Sequence, residues 1–269
     1  MTEVETPEDR RPPISCYIRT LNEERKIAEV VSAALAVARE VVVVDSGSTD
    51  ATVALAEKAG ARVEHVAWRG VGGQKRAGED LCAYNWLLDL DADEVVTPKL
   101  AAEIAALFEH GAPEEIAFRT PLVTAPPIGA PWYGVDIQVR AKLYDRRRIR
   151  IPDSKAWDQF KPPKDARVGR LTAAILHYSF TGVEHLMNKV NRNTTARAKE
   201  ALKPLPLVVM RIFFGFPFYF FKRYILRGLI LKGVYGFVFA VTVATGRWLR
   251  DVKMFEIHMK KKDGHGEAA

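Results

Sequence analysis

Four carboxylates stand within six residues at Asp89-Leu90-Asp91-Ala92-Asp93-Glu94, directly behind the apolar run Trp86-Leu87-Leu88. Packed acids repel one another, and the next basic residue along the chain is Lys99. Such a cluster is stable in solvent, or with a cation among its oxygens. A hard divalent ion takes oxygen ligands, commonly one or two carboxylates plus the phosphates of a substrate. The spacing therefore points to a metal-assisted site for a phosphorylated ligand. The competing reading is a solvated loop before a helix, with Asp93 or Thr97 as N-cap. Two more polar groups follow apolar runs in the same way. Thr20, Asn22 and Glu23 come after Ile14–Ile18, and Asp45 and Ser46 come after Val41–Val44.

The elements that must carry these groups alternate in type. Ile14–Ile18 reads as a buried strand, and residues 23–39 space Ile27, Val30, Val31, Ala34, Leu35 and Ala38 as one helix face. Glu40–Asp45 is a continuous β-branched run, as in a strand covered on both faces. A polar turn and a helix to about Ala59 follow, then a strand over 61–66, a glycine loop over 70–73, a helix over 74–83 and a strand over 84–90. This order implies βαβ units and a parallel sheet. All three polar groups then fall at the carboxyl ends of strands, where open α/β sheets bind their ligands. Further on, the pattern predicts a helix from Pro98, strands over 116–122 and 138–144, mostly loop over 152–170 and a helix over 182–203. A Pro-, Gly- and aromatic-rich loop over 121–134 reads as the lining of a cleft.

The 269 residues suffice for one large domain or two small ones. Cys16 and Cys82 lack metal-ligand spacing and fit a reducing compartment. Residues 1–13 are acidic, contain Pro and lack the pattern of a secretory leader, so they read as a disordered tail. The net charge of +7 is concentrated at the other end, where residues 201–269 hold 12 Lys and Arg against 4 Asp and Glu. The remainder is near neutral, which argues against a nucleic-acid-binding face. Between residues 201 and 250 there is no acid, and eight basic residues alternate with dense aromatics. Apolar aromatic faces with basic edges suit helices lying in the interface of an anionic leaflet. A bilayer span needs ~20 mostly apolar residues, and the longest uncharged stretch, residues 233–246, is shorter. A span or re-entrant hairpin and a soluble oligomer interface are the alternatives. The domain reading is a tail over 1–13, an α/β domain over 14–200 and a basic, aromatic membrane-associating region over 201–269.

Taken together, Ile18–Glu23, Val41–Asp50 and Leu90–Glu94 resemble family 2 glycosyltransferases. Leu176-His177-Tyr178-Ser179, ahead of a helix and a basic apolar C-terminal region, resembles the lipopolysaccharide-core β-glucosyltransferase branch. The resemblance implies a GT-A fold, a mainly parallel sheet flanked by helices. It implies that Thr20, Asn22, Glu23 and Ser46 line a nucleotide pocket and that Asp45 accepts from the uracil N–H. A Gly72–Lys75 turn would pass the base and ribose. Asp91 would face the ribose and a metal. Asp93, with His177, would hold Mg²⁺ or Mn²⁺ at the donor diphosphate. The bland alternative for His177 is a core histidine. Asp158 is the expected general base and Asp153 its rival; Trp157 stands where the family carries His, and the bland alternative for Asp158 is a solvated loop acid.

The implied activity is an inverting transfer of a sugar, glucose foremost, from a UDP-sugar to a lipid-linked acceptor such as lipopolysaccharide core. It would take place at the cytoplasmic face of the bacterial inner membrane, on a peripheral or monotopic protein bound to anionic lipid. One alternative is transfer to polyprenyl phosphate, which needs no base. Another is a nucleotidyltransferase, whose Gly-rich loop after the first strand is missing here. A third is a membrane-bound nucleotide-sugar-binding or scaffold protein without catalysis.

Overall fold

A computed structural model of the chain describes residues 11–155 and 157–263, so most of the expected N-terminal tail lies outside the described residues. The chain divides into two compact units, one of Met1–Val123 with Gln138–His177, the other of Thr124–Ile137 with Tyr178–Ala269.

The first unit is built on β1 (Ile14–Thr20), α1 (Ile27–Leu35), β2 (Glu40–Asp45), α2 (Thr52–Lys58), β3 (Arg62–His65), α3 (Val71–Leu81), β4 (Trp86–Asp91), β5 (Glu94–Val96), α4 (Pro98–Leu107), β6 (Ala117–Thr124), β7 (Gln138–Asp145), β8 (Val168–Arg170) and β9 (Ile175–His177). The strand order is β3-β2-β1-β4-β7-β6-β9-β5, with β8 paired to β6. The pairings among β3, β2, β1 and β4 are parallel, as the alternating pattern predicts. Beyond β4 the sheet turns mixed: β7 runs antiparallel to β4 and to β6, and β5 antiparallel to β9. The mainly parallel expectation thus describes only the N-terminal half. No helix stands between β6 and β7 or between β8 and β9, so the helix–strand alternation that signals parallel pairing is weaker in this part of the sequence.

The β-branched run makes β2 a central strand, with Val42, Val43 and Val44 fully buried. α1 buries Ile27, Val30, Val31 and Ala34, the face its spacing predicted. Thr97 caps α4, its side chain accepting from the Leu100 amide at 3.3 Å.

The second unit contains α5 (Val183–Glu200), α6 (Leu205–Phe221) and α7 (Gly233–Lys262). α5, read from sequence as part of the first domain, belongs here, as does the loop over 124–137. α6 and α7 pack as an antiparallel pair. Phe220 meets Phe237 edge-on at 5.7 Å, Arg211 pairs with Asp251 at 3.1 Å, and Val208 shares a cluster with Met254. Between the helices, Arg223 and Arg227 reach the buried Asp136 at 2.9 and 3.3 Å. Phe213, Phe214 and Phe218 on α6 remain 60–71% exposed. Leu205–Leu226 and Leu229–Lys262 are long and apolar enough to cross a membrane. Both are longer than any uncharged stretch of the sequence, because a few cations stand among many apolar residues in each.

Candidate active site

The register of β1 and β4 sets Arg19 beside Asp91 and Tyr17 beside Asp89. Alternation along both strands turns these four side chains to the face covered by α3. There the Lys75 ammonium, 1% exposed, sits 2.8 Å from Asp89, 3.5 Å from Asp91 and 3.4 Å from Asp158. Arg19 grips Asp91 with two nitrogens, at 2.6 and 3.2 Å, and lies 3.8 Å from Asp158. Lys142, brought in by β7, contacts Glu94 at 2.5 Å and Asp89 at 3.9 Å. The acid-rich motif thus acquires three cations, two of which, Arg19 and Lys142, sequence reasoning did not assign. Their partners are 48 to 72 residues away, so only the strand register discloses them.

The motif itself crosses the turn from β4 to β5. Glu94 fixes that turn, its carboxylate accepting from the Asp91 amide at 3.0 Å. Burial pushes the Glu94 carboxyl up despite Lys142. Pairing of β5 with β9 puts Glu94 opposite His177, and His177 Nε2 comes 3.5 Å from Asp93 Oδ2. Asp93 and His177 therefore meet as expected, while both oxygens of Asp91 are taken up by Arg19. Adjacent ligands of an octahedral ion with bonds of ~2.1 Å lie ~3 Å apart, and Mg²⁺-type ions complete their shell with water and substrate phosphates. The Asp93–His177 pair fits such a two-ligand anchor. Among the described residues no group of three or more His, Cys, Asp or Glu is placed to hold an ion alone.

Asp158 arrives on a strap that runs across the N-terminus of α3. The Val71 and Gly72 amides donate to the Lys155 and Ser154 carbonyls at 3.1 and 2.9 Å, satisfying the helix's open N–H groups. The strap is anchored at its start, where Ile151 N–H donates to Glu79 at 2.7 Å and Arg76 donates to the Ile151 carbonyl. Its closeness explains the glycines. A Cβ at Gly72 would collide with the Pro152 and Trp157 carbonyl oxygens, and one at Gly70 with the Lys155 backbone. The expected glycine loop is therefore the first turn of α3, and Lys75 is a buried counter-ion rather than a residue facing a base or ribose. Burial alone would raise the Asp158 carboxyl, but Lys75 and Arg19 hold it below the usual carboxylate range. Asp153, the rival, is exposed on the strap.

The residues expected to line a nucleotide pocket gather at the ends of β1 and β2. Thr20 is 4% exposed, and its hydroxyl has no hydrogen-bond partner among the described residues. The Asn22 amide donates to Ser48 Oγ, and the Thr49 amide donates to Asn22 Oδ1, both at 2.9 Å. Asn22 sits at φ 54°, a left-handed conformation that Asn tolerates. The Glu23 amide donates to Thr52 Oγ1 at 2.8 Å, and the Ser46 amide to the Thr20 carbonyl at 3.1 Å. Asp45 is fully buried and committed to its own loop. Its carboxylate accepts from the Gly47 and Ser48 amides and from the Ser48 hydroxyl, with His65 at 3.2 Å. Burial would raise its carboxyl, and these hydrogen bonds lower it further than burial lifts it. Asp45 thus fixes its own loop, instead of presenting an open carboxylate.

Residues 15–122 match the model of Glycosyl transferase family 2. An uncharacterized glycosyltransferase of Rickettsia conorii is 33% identical over 265 residues, covering 93% of this chain and 92% of that protein. The chain belongs to glycosyl transferase family 2. It is a glycosyltransferase with the GT-A fold. The lipopolysaccharide core biosynthesis glycosyltransferase LpsC of Rhizobium meliloti is 28% identical over 260 residues, covering 93% of this transferase and 94% of LpsC. A solved structure of glucosyl-3-phosphoglycerate synthase from Mycobacterium tuberculosis, in complex with Mn²⁺, UDP and phosphoglyceric acid, aligns at 25% identity. The alignment covers 42% of the transferase and 43% of that chain, with a TM-score of 0.34.

Proposed function

We propose that this transferase moves a sugar, glucose foremost, with inversion from a UDP-sugar to a lipid-linked saccharide at the cytoplasmic face of a bacterial inner membrane. The observation that carries this reading is the strap, which delivers Asp158 to the strand-end cluster holding Asp91 beside Asp93. An ionised Asp158 takes the proton of the acceptor hydroxyl. The acceptor oxygen bonds to the anomeric carbon as the bond from that carbon to the diphosphate oxygen breaks, and UDP departs with the electron pair. Asp93 and His177 would hold the divalent cation, which supplies Lewis-acid stabilisation of charge on the departing diphosphate. Because one of the two ligands is an imidazole, Mn²⁺ suits the pair better than Mg²⁺, which prefers oxygen. The unpartnered Thr20 hydroxyl and the Asn22–Glu23 loop, with Ser46, would line the nucleotide pocket. The similarity to LpsC supports an acceptor of the lipopolysaccharide-core class.

Purified full-length protein should release UDP from one UDP-sugar when Mn²⁺ or Mg²⁺ and a membrane-lipid extract are both present. No release with any UDP-sugar, together with no binding of UDP, would sink the reading.

The C-terminal helices support a stay at the bilayer surface. Exposed Phe213, Phe214 and Phe218 give α6 an apolar outer face. The buried Asp136 with Arg223 and Arg227 at the α6–α7 connection opposes tip-first insertion, since intramembrane charge is costly. The protein should float with phosphatidylglycerol-containing vesicles and less with pure phosphatidylcholine vesicles. Replacing the three phenylalanines by Ser should cut flotation at least fivefold. Equal flotation of both proteins with both vesicle types would rule out this docking mode.

A further inference from the structure

Beside the strap lies a cavity of about 580 Å³, lined by Arg119, Arg140, Arg170, Gln159 and Phe160 among others, with no acidic residue in its lining. Its size falls in the range of small-ligand sites, roughly 300–1,000 Å³. Gln159 directly follows Asp158 and donates to its backbone carbonyl at 3.0 Å, so the cavity's lining adjoins the proposed base along the chain.

The three arginines come from three strands. Arg119 on β6 stands in register opposite Arg170 on β8, and Arg140 projects from β7 opposite Thr120 of β6. Like charges directly across a ladder are destabilising. All three side chains are exposed, and none has an ion-pair partner among the described residues. Lys75, Lys142 and Arg150 of the same unit are, by contrast, each paired with a carboxylate. Phe160 packs on Tyr144 at 5.1 Å between ring centres and gives the cavity one apolar wall. Gly169, between Val168 and Arg170, lets the Phe118 ring lie against the β8 backbone, where a Cβ would collide with it.

We propose that this cavity is the acceptor subsite and that it binds an anionic group, a phosphate or carboxylate, carried by the acceptor saccharide. Guanidinium forks match the planar, multi-oxygen geometry of both groups. The anion relieves the Arg119–Arg170 repulsion, and the sugar ring rests on Phe160. The acceptor hydroxyl then lies toward Asp158. This inference rests on the glycosyltransferase reading of the site and adds the charge class of the acceptor.

The test uses full-length protein in detergent with three probes, glucose 6-phosphate, glucuronate and glucose, and separately UDP with Mn²⁺, all by calorimetry. Wild type should bind at least one of the two anionic probes and bind glucose at least tenfold more weakly. The R119Q/R140Q/R170Q variant should lose at least tenfold in anion affinity and keep its affinity for UDP, while Arg170→Lys should lose less. Preference for glucose 6-phosphate identifies a phosphate-bearing acceptor, and preference for glucuronate a carboxylate-bearing one. Equal affinity for glucose and the anions, anion binding unaltered by the triple substitution, or no anion binding would each overturn the proposal. Failure of wild type to bind UDP would instead count against the donor-site reading, whatever the anions do. Thermal melting of the triple variant at or above the wild-type temperature excludes unfolding as the cause of lost binding.

Discussion

Asp93→Ala is expected to lower the rate of metal-dependent UDP release by ~10²–10³-fold while leaving the protein folded. Several kcal/mol of transition-state stabilisation is the usual share of a cation acting on a leaving phosphoryl oxygen, and ~3–4 kcal/mol corresponds to that loss in rate. Asp93 is the carboxylate of the motif with the strongest claim to this role. Asp89 is buried beneath Lys75, Asp91 is gripped by Arg19, and Glu94 holds the turn and pairs with Lys142. Asp93 is paired with His177, whose Nε2 lies 3.5 Å from its carboxylate. The turn that presents Asp93 is fixed by Glu94, so truncation at Asp93 should shift the melting temperature by no more than a few degrees. Initial rates over a Mn²⁺ titration would check this, with His177→Ala expected to weaken the metal dependence in the same direction. Activity of Asp93→Ala within threefold of wild type would remove the metal from the proposed mechanism.

The parallel half of the sheet was legible because its information is local. Glu40–Asp45 announces a buried strand by its valines, and the polar residues after β1, β2 and β4 fall at one edge once alternation with helices is recognised. The Asp93–His177 meeting was legible only through family resemblance, since 84 residues of chain separate them. The site's cations were not legible. Arg19 looks like an ordinary strand residue until the β1–β4 register places it opposite Asp91, and Lys142 until the β4–β7 pairing carries it to Glu94. Gly72 and Gly73 read from sequence as loop, because glycine disfavours helices on propensity alone, and stand instead in the first turn of α3, while Gly70 does precede the helix. Here tertiary approach of the strap decides, and Gly72 is required because a second backbone lies where a Cβ would be. The helical unit was legible as a basic, aromatic region, but its start was placed too late. The composition shift at residue 201 does not coincide with packing, and α5, polar by sequence, belongs with α7.

Lys75→Met should destabilise the first unit by ~3–5 kcal/mol, the range for removing one partner of a buried ion pair. At about 2–4 °C per kcal/mol for a unit of this size, the melting temperature should fall by roughly 6–20 °C near pH 8. Met keeps most of the side chain's volume, so the loss reports charge. Without the ammonium, Asp89, Asp91 and Asp158 share one buried face with Arg19 and Lys142 as the remaining cations. In wild type, burial opposes the Lys75 charge, but Asp89 and Asp91 overcome it and raise the ammonium above its usual value. That contribution is fully present below about pH 10.4, the unfolded-state value, and is lost only as pH rises through the higher folded value. On the acid side, Arg19 and Lys75 hold Asp91 well below the usual carboxylate range against the effect of burial. Its contribution is present above about pH 3.9 and is lost as pH falls through the depressed folded value. Wild-type stability from the Lys75–Asp91 pair should therefore be flat between pH 5 and 8. The variant inverts the acid limb. Buried carboxylates left without their counter-ion have raised values, so protonation favours the folded state and stability recovers as pH falls from 8 to 5. Melting temperatures of both proteins across that interval decide the matter. A deficit that stays constant with pH would mean that Lys75 holds the site together by packing, and that the carboxylates do not depend on its charge.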